Sequence, residues 1–454
     1  METIKESVGE TSSYYQPMRF GEALETKRWF VLLTVCLTYI ASALGYLTFN
    51  STSVPSKEYF HTDDDNRILY FTDVSMYIGV IFSYVGCWFA YKYFKPSVIA
   101  CAFFTALAAW IRVFVGANYV VVLLCQALIG LVATTLFGFA NVVPDRWFGT
   151  SERFTVNTLS VFSNYVGWAL GALIPCIIIQ NDVTNMPKNV FFQACIITIP
   201  FLLSIFIKEK PRVPPSYSAM VKQTDQRGFF EEMKILMKSP QFIGASLCFG
   251  MVLGLSNSIP TTNSIYMAHL NLSDLQQGYI TLGYVVAGLI PGLLGAWWIE
   301  KKGLKDCDLL NNCFMTISFI SLAALGVVFM YVEEPSMFLI LACNCLLGVG
   351  LIGFMPFACS SIIESNFPIQ EAVSTNGMYM LAQVFSVGAS HLSTAKFVGK
   401  GGFGVLAALM LPCWIYTVFF YRTQFKKQEA DERHQNLGKE ALESRLIEDG
   451  KMSA

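Results

Sequence analysis

Over 454 residues the chain is 54% hydrophobic and only 14% charged, with a mean hydropathy of +0.49 and a net charge of −1. Soluble proteins carry about 25% charged residues, so a water-soluble enzyme or binding domain is excluded. The net charge singles out no partner, and no nucleic acid is expected.

The first 27 residues are polar, and the first apolar block is too long for the core of a cleavable signal. Apolar blocks then recur at 28–53, 70–91, 96–116, 118–143, 154–179 and 189–207. A second series follows at 241–266, 277–299, 309–332, 336–362, 370–394 and 402–421. Each is long enough to cross a bilayer as a helix, which predicts an all-α membrane protein with twelve transmembrane helices. The charged, proline-containing stretch 208–240 (KEKPRVPP at its start) divides them six and six. The expected organisation is a tail (1–27), a six-helix half (28–207), a linker (208–240), a second half (241–422) and a tail (423–454). With both ends inside, 25 of the 31 Lys and Arg fall on the cytoplasmic side and five outside, with Arg112 within a span. That bias predicts cytoplasmic termini.

The two halves share features. GYLTFNSTSVPS (Gly45–Ser56) and GLSNSIPTTNSIY (Gly254–Tyr266) put polar, proline-containing tracts in the first span of each half, about 209 residues apart. In the fourth and fifth spans Phe139-Ala is followed by Glu152 and, twelve residues on, Asn164; later Phe357-Ala is followed by Glu371 and Gln383 at the same interval. Repeated halves with polar breaks in matching helices point to alternating access, with a solute site near the midplane. Polar groups inside lipid face the bundle interior or a watery cavity. Candidates are Tyr46 and Asn50, four apart on one face; Asn164, Tyr165 and Trp168; Asn257, with Ser256, Thr261 and Asn263; and the stripe Asn376, Tyr379, Gln383. Glycines and Pro260 leave room for local unwinding. Aromatic faces and neutral amides suit an organic cation or a neutral amphipathic solute. The competing reading of each amide is interhelical hydrogen bonding.

Intramembrane charge is sparse. Asp73 and Arg112 on neighbouring spans are expected to form a structural ion pair, or Arg112 to snorkel to the interface, and His391 is read as a solvated interfacial histidine. Without a central carboxylate, facilitated diffusion is favoured over proton coupling. The four histidines are scattered, and no metalloprotease or nucleophile-elbow motif occurs, so no enzyme, cofactor or metal is expected. Gly399-Lys-Gly-Gly-Phe-Gly404 follows no strand and reads as an outer turn. The thirteen cysteines read as packing residues. Asn50 and Asn271 stand in glycosylation sequons, of which only Asn271 is placed to be used. The tail from Arg422, with a near-dileucine Glu443-Ser-Arg-Leu-Ile447, reads as disordered or loosely helical.

Two blocks carry a family likeness. Arg146-Trp-Phe-Gly149 with Glu152 and Ser163-Asn-Tyr-Val-Gly-Trp-Ala-Leu-Gly-Ala-Leu-Ile-Pro175 form the first; Glu364-Ser-Asn-Phe-Pro-Ile-Gln-Glu371 with Ala382-Gln-Val-Phe385 forms the second. They resemble the feline leukaemia virus subgroup C receptor-related transporters, solute-carrier family 49 of the major facilitator superfamily. The resemblance implies two pseudo-symmetric six-helix halves. It implies transport of choline, ethanolamine or haem, or of pyridoxine in a lysosomal branch. By position, the relatives' span 1 tryptophan resembles Tyr46, and their span 11 glutamine matches Gln383. Their span 5 glutamine falls on Tyr165 and their span 7 aromatic near Asn257, so Tyr165 or Trp168 would supply the missing face. Gly86-Cys-Trp-Phe-Ala-Tyr-Lys92 lacks the superfamily's acidic residue. Arg146, Glu152, Glu364 and Glu371 are expected at the inner gate, with Glu152 and Glu371 bonding backbone, Arg146 or Arg153. The alternative class is a non-transporting receptor. A monomer in the plasma membrane, rather than the lysosomal or mitochondrial membrane, completes the expectation.

Overall fold

The computed structural model describes residues 25–434 and 436, apart from 181, 213, 225–227, 269, 271, 304–305 and 396–397. Within its helices the side chains of 65, 222–224, 261, 264–265, 268 and 274 are left undescribed. The Thr261 side chain, Asn271 and the Glu443 motif therefore lie outside the described residues. Among the described residues there is no strand.

The long helices before the linker are α1 (Lys27–Leu47), α3 (Asp65–Lys92), α4 (Phe94–Val115), α5 (Tyr119–Trp147), α6 (Arg153–Ile179) and α7 (Met186–Ser204), with short α2 (Ser53–Tyr59) after α1. The linker contributes α8 (Tyr217–Thr224) and α9 (Phe229–Leu236). Then come α10 (Pro240–Ala268), α11 (Asp274–Lys302), α12 (Cys307–Tyr331), α13 (Met337–Ser365), α14 (Glu371–Ser393) and α15 (Gly402–Ile415). Side-chain caps mark several starts: Asn118 accepts from the Val121 amide and Ser336 from that of Leu339, and Ser273 with Gln276 forms a capping box on α11.

Among the described residues eleven helices are long and apolar enough to cross a membrane. The expected span 370–394 is helical as α14, and at 23 residues it is long enough. It is not among the eleven because it carries a polar face, including Ser374, Thr375, Asn376, Gln383 and Ser386, all buried within the bundle. The first span is shorter than expected. Helix α1 stops at Leu47, and the polar tract turns over residues 48–52. Around Pro260 the helix does not unwind: α10 continues through it to Ala268.

Small residues set the helix spacing. A methyl on Gly348 of α13 would lie 1.9 Å from the Tyr284 carbonyl oxygen of α11. One on Gly130 of α5 would lie 2.5 Å from the Ser75 Cα of α3. Backbone approach of this kind gives helices in lipid the close contact that replaces a hydrophobic driving force. Helices α1 to α7 pack largely on one another, as do α10 to α15, and the two groups meet through α3–α14, α5–α14, α6–α11 and α6–α13. The linker is tied back at Glu25, whose carboxylate accepts the Arg212 amide and the Lys208 ammonium at 3.0 Å each. Those bonds, the amide's first, hold its carboxyl below the usual range.

Candidate functional site

Ring stacking organises the middle of the bundle. Tyr46 near the end of α1 stacks on Trp168 of α6, with centroids 6.2 Å apart and planes 18° from parallel. Tyr165 abuts the same Trp168 edge-on at 5.3 Å. These rings flank a cavity of about 40 Å³ whose lining includes Tyr46, Asn164, Trp168, Asn257 and Gln383. Phe137, Met76 and Ile129 contribute to its apolar wall. Among the described residues no charged side chain lines it. Gln383 is buried, and its Oε1 has no hydrogen-bond partner among the described residues. An amide oxygen left this way inside a bundle is costly unless something binds it.

Five of the seven predicted binding residues therefore share one cavity. The other two do not line it. Tyr165 is 2% exposed and backs Trp168 instead. Asn50 lines a neighbouring cavity of about 30 Å³ with Pro260, Asn263 and Gln277, and its Nδ2 donates to Thr72 Oγ1 at 3.2 Å. Several neighbouring polar groups are interhelical bonds. Ser256 Oγ lies 3.0 Å from Tyr284 Oη, Asn263 donates to Asn344 at 2.7 Å, and Asn376 accepts from Ser83 at 2.7 Å. On the α14 stripe, Tyr379 lies 3.3 Å from Cys359 Sγ and stacks on Phe137 at 4.7 Å, which leaves Gln383 as the member lining the cavity.

The intramembrane charges pair differently from expectation. Arg112 donates to the Gly45 carbonyl at 3.0 Å rather than to Asp73. Gly45 permits this because a side chain there would lie 3.1 Å from the guanidinium. Asp73 instead meets His391 at 2.9 Å. His391 is thus half-exposed, as an interfacial residue would be, but held in a specific bond.

At the linker end the four predicted gate residues separate. Arg146 donates to the Tyr91 carbonyl and covers the Tyr91 ring at 5.1 Å. Glu152 pairs with Arg28 at 3.0 Å, and neither with Arg146 nor with Arg153. Glu364 accepts the Gln428 amide at 3.0 Å, and Glu371 accepts Lys427 Nζ at 2.5 Å. Arg153 pairs with Asp431 at 3.4 Å. The tail is not loose here: residues 426–434 are helical, and Lys427 is 1% exposed. Sequence reasoning missed Lys427, Asp431, Asp145 and Arg28. The only signal was local, Asp145 standing inside the Pro-Asp-Arg-Trp stretch, because a run rich in charge reads as solvated.

A model of the Major Facilitator Superfamily matches residues 31–391. The chain belongs to the major facilitator superfamily. Within it, the choline/ethanolamine transporter flvcr2a of Danio rerio is 23% identical over 432 residues, covering 92% of this chain and 89% of the relative. An uncharacterized MFS-type transporter of Caenorhabditis elegans, C09D4.1, is 22% identical over 423 residues, covering 89% of this chain and 70% of the relative. The choline/ethanolamine transporter FLVCR1 of Felis catus is 22% identical over 382 residues, covering 80% of this chain and 67% of the relative. The likeness carried by the two motif blocks thus extends, at low identity, over most of this facilitator's chain. The fold and the transporter class follow from the superfamily.

Proposed function

We propose that this facilitator carries a small organic cation of the choline or ethanolamine kind by alternating access, using the cavity between Tyr46, Trp168 and Gln383. The observation behind this reading is the cavity walled by the stacked Tyr46–Trp168 pair and the Gln383 amide oxygen, with no charged lining and no partner for that oxygen among the described residues. Ring faces attract an alkylammonium, and amides bond a hydroxyl without requiring a counter-ion. The relatives named as choline/ethanolamine transporters support the same class. At about 40 Å³ the cavity has room for a few waters, and a solute enters when the two helix groups part.

The Lys and Arg bias supports an orientation with the linker and both termini in the cytoplasm, and the two helix groups act as the two moving halves, 28–207 and 241–422. The test is uptake of labelled choline and ethanolamine into cells expressing the chain at the plasma membrane, with pyridoxine and haemin as competitors. Saturable uptake lost in Tyr46→Ala and Trp168→Ala supports the reading. A surface-expressed parent chain that takes up neither label sinks it.

A further inference from the structure

Helices α5 and α6 on one side of the linker and α13 and α14 on the other converge at the linker end, and the segment after α15 is inserted between them. Lys427 Nζ donates to Asp145 Oδ1 of α5 at 2.7 Å and to Glu371 Oε1 of α14 at 2.5 Å. The three side chains are 1%, 8% and 6% exposed. One residue on, the Gln428 amide donates to Glu364 of α13 at 3.0 Å. One turn on, Asp431 accepts from the Ser218 amide of α8 at 2.8 Å and pairs with Arg153 of α6 at 3.4 Å. The tail thereby bonds both helix groups and the linker at once. It also forms one wall of a cavity of about 270 Å³, whose other walls include Asn141, Asn157, Ser360 and Glu300.

Charge explains why the segment sits there. Asp145 and Glu371 belong to opposite helix groups and both face Lys427. Arg153 Nε also lies 3.9 Å from Asp145 Oδ1, but it belongs to the same helix group as Asp145, whereas Lys427 bonds both groups across the seam that must part for the linker end to open. One ammonium thus holds both.

We propose that residues 422–434 form a lock on the linker-end gate, with Lys427 as the cation that closes it. When the segment is docked, that end stays shut and the segment forms one wall of the 270 Å³ cavity. When it leaves, the tie that Lys427 makes between the two helix groups is lost and the end opens. This rests on the alternating-access reading above, but not on the identity of the solute.

The test reads opening directly. Ser360→Cys, which lines the cavity and is 7% exposed, is introduced into the full chain. Its labelling by a membrane-impermeant maleimide is measured from each face of sealed vesicles, above the background of the native cysteines. Lys427→Ala is expected to raise the labelling rate by at least about tenfold, a lower bound on what loss of a buried ion-pair partner implies, and Lys427→Arg to stay near the parent. Should Lys427→Ala fold poorly, a protease site inserted between Thr423 and Gln424, cut after assembly, frees the tail in an already folded protein. Equal labelling of parent, Lys427→Ala and cut protein overturns the lock. Lys427-dependent labelling from the extracellular face would leave the lock standing and overturn the proposed orientation instead.

Discussion

His391 Nε2 lies 2.9 Å from Asp73 Oδ2, joining α14 to α3 across 318 residues of sequence at the end away from the linker. The same two helices stay in contact towards the linker end. Gly79 leaves room for Gln383, where a methyl would come within 3.0 Å of it; Ser83 donates to Asn376; and Cys87 donates to the Ala372 carbonyl at 3.0 Å. The seam is closed at both ends, with Asp73–His391 at one and the Lys427 cluster at the other, which accounts for the small central cavity.

For the Asp73–His391 pair the expected energy is modest, since the histidine is 42% exposed although the aspartate is 7% exposed. A double-mutant cycle with Asp73→Asn and His391→Gln on thermal stability in detergent should return a coupling of about 0.5–1 kcal/mol. A coupling of zero would mean the contact contributes nothing to closure.

Tyr46 is half-buried and offers a ring face more than core volume. Tyr46→Ala should raise the KM for choline by about tenfold, in line with loss of a desolvated cation–π contact. Its unfolding midpoint should stay near the parent's. A collapse in folded yield with normal KM in the remainder would reassign Tyr46 to helix packing.

Glycine 348 has no freedom to change. Gly348→Ala puts a methyl 1.9 Å from the Tyr284 carbonyl, so α11 and α13 must separate. Overpacking of this kind costs about 1–3 kcal/mol, and the folded peak in size-exclusion chromatography should shrink sharply. Gly388→Ala meets nothing within 4 Å and serves as the control that should leave the peak intact.

Glu152 and Glu371 should behave differently despite their matched positions in the two sequence blocks. The Arg28–Glu152 pair has a carboxylate 36% exposed, so Glu152→Gln should leave turnover within about twofold of the parent. Glu371→Gln removes a buried negative charge that faces Lys427 and should change turnover several-fold more. Equal effects on initial uptake rates would refute the distinction.

Much of the site was legible because lipid makes polarity locally informative. Tyr46, Asn164, Trp168, Asn257 and Gln383 stood out as polar or amphipathic groups in apolar runs, and they share one cavity. The same rule could not separate Asn257 from Asn263 six residues later, which bonds Asn344 instead, because facing depends on the neighbouring helix. Nor could it place Asn50, which falls beyond the end of α1.

Hydropathy and Lys/Arg bias are properties of short segments, so the sequence by itself determined a polytopic helical protein with a polar, uncharged centre. The partners of the charges were decided only by the tertiary structure. Asp73 met His391 rather than Arg112, and Lys427 of an apparently solvated tail was inserted between Asp145 and Glu371. Ion pairs are fixed by which helix ends abut, and helix ends hundreds of residues apart come together only when the whole bundle packs.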